Sequence, residues 1–508
     1  MKSIHHARFA PRSRWLLLRA ALALACATSI SACTTVGPDY RSAPPVDVGG
    51  GWSQPGADDT SPEALSRWWQ TLGDPVLEHL VSKALSRNLD LQQAEARIEE
   101  ARALRDRAAG GRAPTVSAGA SLTRRRQSEN GPLPVGRLPG LESEQTLRDA
   151  GFDARWELDL FGGQQRALEG ATARLEGRVA EAQGVRMRVA AEVARGWFEA
   201  SSAGNEYRLQ QAYADNLERT LEIMRARAAA GDVAASEVDA AQSRLSAARS
   251  ALPGIAARRR AALFGLSVLL GEPPETELAL LDAPPSSVEL RPIPVGERAE
   301  VLRRRPDVYA AERKLAASVA DVGVATAELF PKLSISASGG FQALAGTDWF
   351  GGGSGRFSIV PMLTWRIFDG GRVRAEIHAR EATSRQAAFA YEQAVLDALK
   401  DAEQALDGYR SALESLEESS RAMDAAHRSL QAAQSRATAG DLAVIDLLAV
   451  QRQSLETEIV RARAHGTAAV GLVALYKALG GGWNAPVPVS DAAGADAAAT
   501  DARASAQG

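Results

Sequence analysis

Between Phe152 and Leu160 the chain alternates without a break: Phe152, Ala154, Trp156, Leu158 and Leu160 are apolar, and Asp153, Arg155, Glu157 and Asp159 are charged. In an extended strand a period of two puts every apolar side chain on one face and every charge on the other. A second run alternates through Phe357, Ile359, Leu363, Trp365 and Ile367, with Ser358, Thr364 and Arg366 opposite. Shorter runs of the same kind are Val116, Ala118, Ala120, Leu122 and Leu333, Ile335, Ala337. The pattern predicts strands at about 115–126, 151–161, 332–342 and 356–368, arranged as two hairpins. Their loops, about 127–149 and 343–355, are rich in Gly, Pro and polar residues. Such strands suit the edge of a soluble sandwich or the wall of a membrane barrel with an apolar outside and a wet lumen. Four strands cannot enclose a channel, and lipid does not tolerate open sheet edges, so a barrel requires several copies; three would supply twelve strands.

Elsewhere the apolar period is helical. Leu399, Ala402, Leu406, Tyr409, Leu413 and Leu416 recur at steps of three and four, the seam of a coiled coil. Ala190, Val193, Trp197, Ala200, Gly204 and Tyr207 occupy the same register 209 residues earlier. No Pro falls between Arg166 and Ala229, so this stretch reads as one rod of roughly 95 Å at 1.5 Å per residue. Both rods reverse at a Gly-Asp pair, Gly231-Asp232 and Gly440-Asp441; Gly accepts the left-handed conformation that ends a helix, and Asp favours the cap of the next. Asp232, Glu237, Asp239, Asp441 and Asp446 crowd these turns beside Arg436 and Arg452.

The shared register belongs to a duplication. At a shift of 217, Asp90, Ala94, Glu95, Pro114 and Ser117 fall on Asp307, Ala311, Glu312, Pro331 and Ser334; at about 209, Trp156, Gly231, Asp232 and Gly271 fall on Trp365, Gly440, Asp441 and Gly480. A half-protein repeat of this size is not a short-period solenoid. The expected organisation is a signal over 1–32, an N-terminal arm over 33–75, a first repeat over 76–270 with its helical hairpin at 164–270, a linker over 271–296, a second repeat over 297–480 with its hairpin at 371–480, and a disordered tail over 481–508.

The first residues set the compartment. Lys2, Arg8, Arg12 and Arg14 precede an apolar run from Trp15 to Ile30, the layout of a secretory signal. Its end, Ile30-Ser31-Ala32-Cys33, resembles the bacterial lipobox. An acylated Cys33 would anchor the mature chain in lipid, and Thr34 in place of Asp points to the outer membrane. Cys26 leaves with the signal, so no disulfide is expected. With 45% apolar and 24% charged residues the chain is globular, and a net charge of -3 gives no reason to expect nucleic acid. Beyond the signal no apolar run reaches the length of a membrane helix.

Reaction chemistry is not visible. No Lys follows a Gly, so there is no Walker A motif. His79, His378, His427 and His465 have no zinc-site spacing, and no Gly-x-Ser-x-Gly elbow exists, so neither cofactor nor catalysis is expected. Of the Arg runs, 258–260 and 303–305 read as solvated or salt-bridged, whereas Arg124 to Arg126, near a strand end, stays open between that and an anion or lipopolysaccharide site.

Several motifs in order resemble one family: Cys33 to Tyr40, Trp68-Trp69 before Leu72-Gly73-Asp74-Pro75, Leu160-Phe161-Gly162-Gly163, Leu302 to Val308, and Leu329-Phe330-Pro331. The chain resembles, from the lipobox to about Trp483, the NodT-type outer-membrane lipoproteins of RND efflux systems within the TolC superfamily. The resemblance implies a mainly α protein with a membrane β-barrel part: a homotrimer whose twelve-stranded barrel continues into a twelve-helix periplasmic barrel. It implies a passive conduit working with a periplasmic adaptor and an RND inner-membrane pump, with tips at Gly231, Asp232, Gly440 and Asp441 meeting the adaptor. Members often carry Leu-Asp-Ala-Gln-Arg at the closed entrance, but here Leu448-Ala449-Val450-Gln451-Arg452 puts Ala449 at the acidic position. Asp446 or the apolar Ile445 then takes the constriction, with Arg452 and Asp239 as further candidates. A lipid-anchored coiled-coil spacer without a pore is the alternative, although a spacer has no use for the alternation around Trp156 and Trp365; an exported enzyme lacks a catalytic constellation. If Cys33 is acylated, cells grown with labelled palmitate will label the wild type, and Cys33→Ala will abolish the label.

Overall fold

A computed structural model of the protein describes residues 35–53, 65–128, 142–286 and 288–483; Cys33, the signal and residues 484–508 lie outside them. The elements in order are α1 (Pro75–Arg87), α2 (Leu89–Gly110), β1 (Thr115–Arg126), β2 (Glu144–Leu158), α3 (Gly163–Ala229), α4 (Ala235–Leu269), α5 (Arg298–Arg304), α6 (Pro306–Ala327), β3 (Lys332–Leu344), β4 (Gly355–Thr364), α7 (Arg372–Thr438) and α8 (Val444–Ala478). The duplication is carried to the residue. Helices α2 and α6 have 22 residues each, α3 and α7 67 each, and α4 and α8 35 each.

The chain forms two compact units that do not follow the order of the repeats. One holds residues up to 44, 99–177 and 311–391; the other holds 45–98, 178–310 and 392 onward. The consecutive division at 270 and 297 therefore marks the duplication but not the packing, since each unit takes segments from both halves. The arm expected over 33–75 is likewise divided, at Pro44.

The first unit is built on one antiparallel sheet in the order β1-β2-β3-β4. Strand β2 begins at Glu144, not near 151, because the ladder with β1 continues from Arg155 opposite Thr115 to Glu144 opposite Arg126, past the point where alternation fades. Backbone pairing, not side-chain pattern, sets its length. Strand β4 ends at Thr364, opposite Lys332, so Trp365 to Phe368 lie beyond the ladder. The earliest described residues are tied to the foot of this sheet. Val36 donates its N–H to the Phe161 carbonyl at 3.1 Å. Arg166, buried, donates to the Val36 carbonyl at 3.2 Å and pairs with Asp39, holding that carboxyl below the usual carboxylate range.

The second unit holds the principal core. Trp68, Leu77, Leu80 and Val81 pack with Val189, Val193 and Trp197 of α3, Leu266 of α4 and Leu472, Leu475 and Leu479 at the end of α8. Trp68 stacks on Tyr476, centroids 4.8 Å apart and planes at 12°, and meets Trp69 edge-on at 5.9 Å. The Leu-Gly-Asp-Pro motif starts α1: Gly73 takes a left-handed φ of 66°, Pro75 enters the first turn, and the Asp74 carboxylate accepts from the N–H groups of Val76 and Leu77. The same carboxylate accepts from Trp197 Nε1 at 2.8 Å and from the Ser286 hydroxyl at 2.5 Å, so one side chain ties the arm to α3 and to the linker.

The α7 seam is buried at Ala402, Leu406 and Tyr409. On α3 it holds from Ala190 to Ala200, but Tyr207 is 36% exposed and the buried stripe passes to Leu209, Ala214, Leu217 and Leu221. A straight helix drifts by about 20° per heptad, so a strict seam cannot face one neighbour over this length. The ordered chain also extends past 480: Gly482 donates to Leu65, and Trp483 is buried. Trp68→Ala should destabilise this unit by about 3–5 kcal/mol, read as a lowered denaturation midpoint with helix content retained at low temperature.

Candidate functional site

The strand registers sort the sheet into two faces. Val116, Ala118, Ala120 and Leu122 of β1, Phe152, Ala154 and Trp156 of β2, Leu333, Ile335 and Ala337 of β3, and Phe357, Ile359 and Leu363 of β4 all lie on one side. That face is uncovered in the single chain; Phe357 is 85% and Leu122 70% exposed. An apolar surface of this extent needs a partner or an apolar solvent. Its foot is marked by two tryptophans related by the repeat. Trp156 Nε1 donates to the Arg112 carbonyl at 3.0 Å, and Trp365 Nε1 donates to the Leu329 carbonyl at 3.1 Å. Tryptophans with a bonded polar end and an apolar body mark a membrane interface.

The opposite face carries Ser117 and Ser121, Asp149, Asp153 and Arg155, Ser336, Ser338 and Gln342, and Arg356 and Ser358. Arg356 forks onto Asp149 at 3.0 and 2.5 Å, and Gln342 donates to the same carboxylate at 2.8 Å. Gly340, opposite Arg356 on β3, lets the arginine cross that strand to reach β2. Its neighbours along the row are Gly151 and Gly119. A Cβ on Gly340 would enter the shell of the Ala150 carbonyl, so the strands close up where side chains are missing.

In the second unit α3 packs between α4 and α8. Leu217 and Leu221 meet Ala241 and Leu245 of α4, while Leu209 meets Ile459 and Ala462 of α8. Asn216, 2% exposed, donates to the Leu448 carbonyl at 3.2 Å and to Gln451 Oε1 at 3.4 Å, and its own Oδ1 has no partner. The turns at the hairpin tips are alike. Gly231 has φ 80° and Gly440 φ 83°, and Asp232 and Asp441 donate their N–H groups to the carbonyls of Arg227 and Arg436 at 2.9 Å. This is the Schellman pattern of a glycine-terminated helix. The aspartates do not cap the next helices, contrary to the expectation: Ala234 and Ala443 are the N-caps, without side-chain bonds. Two further residues stand between each Asp and its helix, which puts the carboxylate out of reach of the first turn's N–H groups.

The gate candidates are divided among these helices. Ile445 and Asp446 sit in the first turn of α8, with Asp446 exposed and Ile445 half-buried; Ala449 and Arg452 follow on the next turns. Asp239 is exposed on α4, on the far side of α3. Arg452 faces Glu456, one turn on, at 3.8 Å, and Tyr213 donates to that carboxylate at 3.0 Å. Of the other Arg runs, Arg258 pairs with buried Glu206 at 2.8 Å, and Arg259 donates to the Leu281 carbonyl at 2.7 Å. Arg305 is buried between Asp307 and Asp401 and donates to the carbonyls of Ala398 and Ala478. Among the described residues no His, Cys, Asp and Glu cluster could hold a metal, and no helix is long and apolar enough to cross a membrane.

The profile of the outer membrane efflux protein family matches residues 80–272 and 298–481, one stretch for each repeat. The chain belongs to that family. OprJ, an outer membrane protein of Pseudomonas aeruginosa, is 30% identical over 463 residues, covering 91% of this chain and 95% of OprJ. The pyoverdine export outer membrane protein OpmQ of the same species is 29% identical, covering 89% and 96%. The solved outer-membrane channel OprN superposes with a TM-score of 0.75 at 34% identity, covering 88% of this chain and 99% of OprN. The open MtrE channel of Neisseria gonorrhoeae gives 0.76 at 26% identity. The resemblance read from the motifs and the TolC-like fold are both borne out, and the protein is an outer-membrane efflux channel.

In this efflux channel the sheet thus has one apolar and one polar face. Asn216, Arg166 and the Asp74 hub were not foreseen as organising residues. Their partners are remote in sequence, and only the Leu-Gly-Asp-Pro context of Asp74 hinted at a role. Gly340→Leu should put a side chain under Arg356 and cost about 1–3 kcal/mol of sheet stability; the yield of heat-modifiable, barrel-assembled protein in outer membranes would fall.

Proposed function

We propose that three copies of this chain join edge to edge, β4 of one beside β1 of the next, to close a twelve-stranded barrel that continues into twelve periplasmic helices. The observation that carries this reading is the sheet itself: one face apolar, one polar, and, among the described residues, the outer edges of β1 and β4 without a neighbouring strand. In lipid every backbone N–H and C=O must be bonded, and only closure achieves that. The assembled duct conducts drugs or other small solutes passively; the sequence carries no Walker A motif. Energy enters from an RND inner-membrane pump through a periplasmic adaptor, which meets the turns at Gly231, Asp232, Gly440 and Asp441. Acylated Cys33, three residues before Val36 in sequence, adds a lipid anchor.

At the tips, α8 narrows the entrance. Asp446, whose charge is favoured in the first turn of a helix, and Ile445 beside it form the constriction; Ala449, exposed, brings no charge to it, and Asp239 stands away on α4. Arg452 acts through its contact with Glu456, holding α8 against Tyr213 of α3. Purified protein in planar bilayers tests the proposal: native mass should be that of a trimer, with discrete conductance that grows in Asp446→Ala plus Arg452→Ala. Unchanged openings would move the gate to Ile445. Monomers without conductance would overturn the duct in favour of a lipid-anchored spacer.

A further inference from the structure

We infer that the outer rim of the sheet carries a binding site for the phosphorylated headgroup of an outer-leaflet glycolipid of the lipid A class, formed by Arg124, Arg126 and Arg148. The inference rests on the barrel reading above. On β1 the lipid-facing row runs Val116, Ala118, Ala120, Leu122 and then passes without a break to Arg124 and Arg126. Register puts Arg148 opposite Leu122, Thr146 opposite Arg124 and Glu144 opposite Arg126, so all three guanidiniums share the face that carries the apolar band. Arg125 alternates to the other face and donates to Gln145 at 3.2 Å. Arg124 and Arg148 are diagonal neighbours across the ladder, about 7–8 Å apart at the backbone, a span that two guanidiniums close easily around one phosphate.

The place along the strand matters as much as the face. The ends of β1 and β2 at Thr115 and Leu158 lead to the helices, so the ends at Arg126 and Glu144 point away from the periplasm, to the outer leaflet. Four apolar side chains of the row precede the first Arg, and the eight residue steps from Val116 to Arg124 make roughly 27 Å of strand at 3.4 Å each, about 20 Å of height at a barrel tilt near 40°, which brings the cations to the depth of headgroups rather than acyl chains. Among the described residues the charge is not balanced. Glu144 takes Arg124 at 3.0 Å and lies 3.9 Å from Arg126, leaving both 73% or more exposed, and Arg148 has no carboxylate at ion-pair distance among the described residues. Three cations against one carboxylate beside an apolar band ask for an anion that itself carries hydrophobic chains. A phosphorylated glycolipid supplies both parts, and a free phosphate only one.

The test compares wild-type trimers with the triple variant Arg124→Gln, Arg126→Gln, Arg148→Gln and with the triple Arg→Lys variant. Lipid bound per trimer is counted by native mass spectrometry after exchange into vesicles holding bisphosphorylated or dephosphorylated lipid A. The wild type should retain the bisphosphorylated form about tenfold or more above the Gln variant, the ratio for losing one charge-assisted bond of ~1.4 kcal/mol. The Lys variant should keep most of this retention, and dephosphorylated lipid A should not discriminate. Equal retention of bisphosphorylated lipid A by wild type and Gln variant would overturn the site. Complete displacement by equimolar inorganic phosphate would make it a free-anion site and overturn the lipid assignment. Loss of trimers in the Gln variant would assign the arginines to the subunit junction instead. Unaltered conductance of the Gln variant leaves the duct standing whichever way the lipid count falls.

Discussion

The interaction on which the rest depends is the backbone hydrogen bond in a medium that offers no alternative partner. Each unpaired N–H or C=O in hydrocarbon costs several kcal/mol, so a four-stranded sheet with an apolar face is an incomplete object. Its two open edges, β1 and β4, make copy number a structural necessity rather than a refinement. In the proposed closed barrel the polar face becomes an interior, and Asp149, Arg356 and Gln342 form a bonded network on that face. Glycines at 119, 151 and 340 form one row across that wall, and at Gly151 and Gly340 the neighbouring backbone leaves no room for a Cβ.

The helical unit answers a different constraint. Duplicated helices of equal length meet in a core that neither half completes. Trp68, from the arm before the first repeat, stacks on Tyr476 near the end of the second, and Asp74 joins α1, α3 and the linker through three sets of bonds. Lys83 makes a comparable tie, pairing with Glu272 and Glu277 at 2.8 Å and holding Glu272 below the usual carboxylate range. The arm, the linker and Trp483 therefore act as wedges and straps around the long helices. If the duct opens at its tips as proposed, it requires a firm region, and this core supplies it.

Much of the architecture was legible because it rests on periodicity. The two-residue alternation from Phe152 to Leu158 located both the strand and its faces, and the offsets of 217 and 209 aligned α2 with α6 and α3 with α7. Misreadings fell where backbone geometry overrides pattern. Strand β2 extends to Glu144 because its partner does, not because its side chains alternate. Asp232 and Asp441 looked like caps by residue type, yet each turn spends two more residues before its helix begins. Tyr207 left the seam because 3.6 residues per turn cannot track a period of 3.5 indefinitely.

By itself the sequence determined the duplication, the helix and strand periods, the two faces of the sheet, the glycine turns and the family, because each is written in neighbours a few residues apart or in motifs compared position by position. Only the tertiary structure decided which halves interleave, that Arg166 clamps the chain at Val36 and Asp39, that Arg305 is buried against two carbonyls, and that Arg124, Arg126 and Arg148 come to one face while Arg125 does not. Those facts depend on pairing between residues tens to hundreds of positions apart. Such pairing is set by strand register and close packing, and no local period encodes either.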